Sequence, residues 1–162
     1  MDIRSALAGQ YHAAYRMLRE CVEKCPDDLW LQGQYPREYW KIAYHAAFYG
    51  HLYLGQGEAA FVPWAKHRIA ATELWAEDAQ EGLEPYTRAE VMEYIDHVRT
   101  LVDPTVAALD LDTSDSGFHW YPRITKLEHE ILSIRHIQGH VGQLSELLFA
   151  QGIETSWISR RD

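Results

Sequence analysis

Apolar residues recur along this chain in four separate stretches at alternating spacings of four and three. That period describes helices with one buried stripe and leaves little room for anything else. In the first stretch, Leu7, Tyr11, Ala14, Leu18, Cys21 and Cys25 share a stripe behind Asp2, a capping residue, and Pro26 stops the helix. The second begins near Pro36-Arg37, where proline suits a first helical turn. It continues through Trp40, Ala43, Tyr44, Ala47, His51 and Leu54 to Gly55 and Gly57. The third opens on Thr87-Arg88-Ala89-Glu90, a hydroxyl and a carboxylate spaced to satisfy each other's amides. Val91, Tyr94, Ile95, Val98, Leu101, Val102, Thr105, Ala108 and Leu109 supply its inner face, and Pro104 predicts a kink or break. The fourth starts just after Pro122 and ends at Gly152, with Leu127, Ile131, Ile134, Ile137, Val141, Leu144 and Leu148 as its stripe. No stretch alternates with the period of a strand.

The expected architecture is therefore all-α, an antiparallel four-helix bundle forming a single domain over residues 1–162. One connection is unusual. Residues 56–86 are too long for an ordinary helix–helix loop and contain Pro63, Gly82 and Pro85. A short helix around Ala71 to Gln80 is expected there. The connection would lie over one end of the bundle as a lid, or pack as a surface crossover.

The formal net charge is −9 with a pI near 5.4. That balance argues against binding a nucleic-acid backbone, which needs a concentrated basic face. It argues equally against adhesion to an anionic membrane. No apolar run approaches the ~20 residues of a membrane span, and the N-terminus has no apolar signal core. The reading is a cytoplasmic protein whose partner is a small molecule, not nucleic acid or a membrane.

Nine histidines are present, and histidine is the commonest metal ligand. His136 and His140 lie four residues apart within Arg135-His136-Ile137-Gln138-Gly139-His140, so both leave one face of the fourth helix a turn apart. Two imidazoles at that spacing can share an ion but cannot complete a site. His45 is the candidate third ligand, because it interrupts the aromatic and small residues of Trp40 to Phe48 and a polar group there needs a partner. Three neutral imidazoles leave a coordination position open, the pattern of a catalytic zinc site; nickel or iron would accept the same donors. Histidines at this spacing also occur on helices that bind nothing. The helix is not a zincin, since Ile137 stands where the catalytic glutamate would be. Nor is it ferritin-like, since no histidine has glutamate three residues before it.

With His45 on the second helix, and His136 and His140 followed by Val141-Gly142-Gln143-Leu144 on the fourth, the chain resembles the DinB/YfiT-like superfamily of metal-binding four-helix bundles. The resemblance covers the order of the four helices, the long connection between the second and third, and most of the chain. It implies one divalent ion, zinc or nickel in the first place, at His45, His136 and His140. It also implies a low-molecular-weight thiol as a possible co-substrate, as in bacillithiol S-transferases and mycothiol-dependent maleylpyruvate isomerases, and a homodimer. The implied function is activation of a thiol or water for transfer to, or hydrolysis of, a small molecule. The rival is a non-catalytic bundle that binds a metal or ligand for a structural or stress-response role. A bundle without metal is the third reading. No catalytic side chain is assigned.

Several neighbours carry lesser expectations. His129 is a proton shuttle or sits two turns away near the solvent end. Gln143 holds a ligand or is a structural amide. His51 points to a different face from His45. Tyr44, Tyr49 and Trp40 line a pocket or belong to the core, and His119, Trp120 and Tyr121 cover a site or cap the core. Trp157 packs back onto the bundle. Cys21 and Cys25 are a redox pair or two buried thiols acting as small hydrophobes. Glu73, Glu77, Asp78, Glu81 and Glu84 form a solvated face.

Overall fold

A computed structural model describes residues 2–75 and 82–160. Among these the chain is all-helical, without strands: α1 (Ile3–Lys24), α2 (Asp27–Trp30), α3 (Tyr39–Leu54), α4 (Arg88–Ala108) and α5 (Lys126–Phe149), with 3₁₀ turns at Glu58–Ala60 and Ile69–Ala71. The four long helices pack around one core. α3 lies against α5 and α4, α1 lies against α4 and α5, and α1 also meets α3. No helix among the described residues is long and apolar enough to cross a membrane.

Local chemistry sets the ends. Asp2 Oδ1 accepts from the amides of Arg4 (3.1 Å) and Ser5 (3.2 Å), and the expected stripe of α1 is buried from Leu7 to Cys25. Both cysteines are free and buried, and burial pushes both thiols up, that of Cys25 to about 12. They pack as small hydrophobes. The Thr87–Glu90 capping box heads α4 as expected, and α4 continues unbroken through Pro104, which is solvent-exposed. Three boundaries differ from expectation. Asp27–Trp30 forms an extra short helix. The helix expected from Pro36 begins at Tyr39. α5 begins at Lys126 rather than just after Pro122, because Thr125 and Glu128 form a second capping box.

α3 is the central helix. Every one of its side chains is buried except His45 and Tyr49. Gly50 lets it approach its neighbours: a Cβ there would stand 2.4 Å from the Tyr15 hydroxyl and 2.8 Å from Ile137 Cδ1. At the start of α5, Lys126 and Glu130 form a fully buried ion pair (2.8 Å). The Lys126 ammonium also donates to the Gly55 and Ser116 carbonyls, and Glu130 Oε2 accepts from the Tyr11 hydroxyl (2.7 Å).

The tail after α5 is tied down by the Ser156 amide on Glu20 (3.1 Å) and by Gln10 Nε2 on the Ser159 carbonyl (3.0 Å). Trp157 does not pack back onto the bundle; it is 80% exposed, because the tail is held by polar groups to either side of it. In the long connection the expected helix around Ala71 to Gln80 is replaced, over the described residues, by the 3₁₀ turn ending at Ala71. Its remainder, like Glu77, Asp78 and Glu81, lies outside the described residues.

Candidate metal centre

α3 and α5 bring His45, His136 and His140 together at one face of their contact, and one ligand atom from each lies within 4.8 Å of the others. His136 Nε2 sits between its partners, 3.2 Å from His45 Nε2 and 3.1 Å from His140 Nε2. Two imidazole nitrogens on one zinc ion at ~2.1 Å would be about 3.0–3.4 Å apart at angles between right and tetrahedral. These two separations fall in that range, and the third pair lies within 4.8 Å.

The outer nitrogens fix the tautomers. His45 Nδ1 lies 2.5 Å from the Thr72 carbonyl, which can only accept, so this nitrogen carries the proton and Nε2 presents its lone pair inward. His140 Nδ1 lies 2.9 Å from Gln143 Oε1 and is fixed in the same sense. One proton on His136 Nε2 can satisfy only one of its two neighbours. The other tautomer places three lone pairs face to face. A cation in their midst would satisfy all three lone pairs at once, so the residues fit a metal ion. His136 Nδ1, by contrast, is buried with no hydrogen-bond partner among the described residues.

Electrostatics point the same way. Burial pulls the His45 pKa down to about 3, with the other two imidazoles and Arg37 adding to it against the Thr72 bond. Burial and His140 lower His136 to about 4. His140 is also lowered, by burial first and then Arg37, with the Gln143 bond opposing. All three rings are neutral at pH 7, the form that binds an ion.

The three rings open onto a cleft of about 400 Å³ lined also by Arg37, Tyr49, Tyr53, Glu73, Leu74, Trp75, Tyr121 and Gln143. His45 and Tyr49, the two α3 residues that keep some exposure, both face this cleft, together with the buried Tyr53 one turn on. The Tyr49 ring packs 4.5 Å from that of His45. The long connection supplies a wall through Glu73, Leu74 and Trp75, and its Thr72 carbonyl orients His45.

Other expectations resolve individually. Gln143 bonds a candidate ligand, His140. Tyr49 and Tyr121 line the cleft, whereas Tyr44 and Trp40 are core. His51 does face away, bonded to the Tyr94 hydroxyl (3.0 Å). His119 is exposed beside Glu58. His129 is not near solvent: it is fully buried, stacked on Phe118 at 4.5 Å, because Phe118, Tyr121 and Tyr53 close over the first turn of α5. Glu84 is exposed, but Glu73 belongs to the cleft wall. Thr72, Arg37, Tyr53, Leu74 and Trp75 were not anticipated. A backbone carbonyl has no sequence signature, Arg37, Leu74 and Trp75 reach the cleft only through loops, and Tyr53 is a buried α3 residue that reads as core.

Comparison with family models, with curated proteins and with solved structures finds no match.

Proposed function

We propose that this chain is a metal-dependent enzyme of the DinB-like type: a cytoplasmic, homodimeric, antiparallel four-helix bundle in which His45, His136 and His140 hold one divalent ion, zinc or nickel. The observation that carries this reading is the convergence of three neutral imidazole nitrogens, two with their outer N–H groups engaged, on an open cleft. When bound, the ion would act as a Lewis acid, making a thiol or water nucleophilic near neutral pH. The chain's own residues hold the ligands still: the Thr72 carbonyl orients His45, Gln143 orients His140, and Tyr49 packs against the His45 ring. The cleft admits a small molecule beside the histidines, and a low-molecular-weight thiol fits as co-substrate. The reaction class is thiol transfer or hydrolysis.

The test is elemental analysis of untagged protein after gel filtration, wild type beside His140→Ala. About one ion per chain in wild type, lost from the variant while its helical circular dichroism persists, is expected. Gel filtration reads the dimer in the same run. Wild type that stays metal-free after addition of zinc and nickel salts would remove the reading. An ion that stabilises the fold but supports no thiol transfer or hydrolysis would assign the site a structural role instead.

A further inference from the structure

Among the described residues Arg37 is the cleft's only arginine or lysine, and none of them answers its charge with an ion pair. Arg4, Arg19, Arg68, Arg88 and Arg99 all direct guanidinium donors to protein acceptors. Arg37 is half-buried, yet its guanidinium makes no hydrogen bond or ion pair with the described residues; it rests 5.8 Å from the centre of the Trp75 ring. A guanidinium offers five donors in a planar fork, which a ligand entering the cleft would meet without competition from a described protein acceptor.

The backbone that presents Arg37 is held firmly. Its amide donates to the Gln34 carbonyl (2.7 Å), and the Tyr39 amide closes the turn on the Gln32 carbonyl (2.9 Å). Gly33, at φ 140°, lies so close beneath that a Cβ would stand 2.5 Å from the Arg37 carbonyl oxygen. Among the described residues, no carboxylate across the cleft forms an ion pair with it. Glu73, the acidic group on the wall, accepts from the Thr72 hydroxyl (3.0 Å) and acts on Lys41. The field of Arg37 reaches His45 and His140 instead, where it opposes their protonation.

We propose that Arg37 is a specificity-determining residue that selects ligands carrying a carboxylate, held by its guanidinium fork while the rest of the molecule reaches the three histidines. This deepens the metal-centre reading and rests on it for the second point of attachment. A single guanidinium matches a monoanion, and carboxylate is the planar monoanion its fork grips with two parallel hydrogen bonds. A phosphate dianion would meet a single guanidinium fork and would also compete for the ion, so phosphate is the rival anion that the test separates. Between the two ends, Leu74, Trp75 and Tyr121 give an apolar wall suited to a short hydrocarbon stem.

The test uses cobalt(II)-loaded protein titrated with 3-mercaptopropionate and with its methyl ester, read by thiolate-to-cobalt absorption. Wild type is expected to bind the acid at least about tenfold more tightly than the ester. Arg37→Met, compared with wild type at saturating cobalt, should erase that preference. Equal binding of acid and ester by wild type, or a preference that survives in Arg37→Met, would overturn the inference and leave the metal centre standing. Inorganic phosphate displacing the acid at lower concentration would overturn the carboxylate class. Failure to take up cobalt would instead count against the metal centre. In that case the Arg37 Nε–H resonance of the metal-free protein, titrated with 3-phenylpropionate, decides: a saturable shift supports the role of Arg37, and an unmoved resonance rejects it.

Discussion

The histidines of this chain differ in what burial does to them, and His51 makes the point away from the cleft. Its ring is buried against Phe61 and Tyr94, with Nδ1 on the Tyr94 hydroxyl, and burial, aided by His97 and His67, lowers its pKa to about 4. An unfolded histidine titrates near 6.5. Between those values the unfolded chain binds a proton that the native chain refuses, so native stability is complete above about pH 6.5 and is lost as pH falls toward 4. His51→Asn keeps an acceptor for Tyr94 and removes the titration. Urea midpoints measured from pH 7.5 to 4.5 should fall less steeply in this variant than in wild type; parallel curves would refute the assignment. At this scale the site was half legible. His136 and His140 show in the sequence because a four-residue spacing is itself geometry, and His45 because it is polar among aromatics. Arg37 and the Thr72 carbonyl do not show, since their places depend on how two loops fold.

Helix ends carry their own instructions. Thr87 and Thr125 head α4 and α5 with the same capping box, each hydroxyl accepting from the amide three residues on. The Thr125 box is written as plainly as the Thr87 box, but Pro122 draws the expected start three residues too early. Removing the Thr125 hydroxyl strands an amide at the head of α5. Thr125→Ala should therefore cost about 1 kcal/mol and lower Tm by about 2–4 °C. His136 lies about three turns further along, beyond the reach of fraying, so ion affinity should not change. Calorimetry beside a chelator competition separates the two, and a loss of affinity would show that the end of α5 is coupled to the site. The long connection was legible only as an anomaly of length. Its role as a wall depends on a 3₁₀ turn that no apolar period announces.

Across the whole molecule, the candidate site exists only because α3 and α5 approach closely. Gly50 sits at that approach, five residues from His45, and Ile137, which a Cβ there would strike, adjoins His136. Gly50→Ala should cost about 1–3 kcal/mol through overpacking. It should also weaken ion binding by displacing His136 from His45. Urea unfolding and competitive chelation measure the two effects, and unchanged affinity would mean that the strain is absorbed by Tyr15 alone. The all-helical class followed from the apolar periods because each stripe must bury itself against others. How the stripes pair did not follow, since Gly50 reads as an ordinary glycine until its neighbours are known.

The buried Lys126–Glu130 pair bears on which of two alignments α5 adopts. An H-x-x-x-H helix invites a one-turn slide: displaced by about 5.4 Å, it would offer His140 to His45 where His136 now stands, with Val141 and Leu148 replacing Ile137 and Leu144 but Ser145 and Gly152 entering the places of Val141 and Leu148. The ion pair adds to that penalty. Sliding would keep Lys126 on Glu130, since both ride α5, but it would drag the ammonium off the Gly55 and Ser116 carbonyls and the carboxylate off Tyr11, leaving a buried pair without the hydrogen bonds that complete it. A charge pair that adds little to the depth of the native basin thus removes its nearest competitor, and the helix is indexed at its first turn for the sake of a site three turns away.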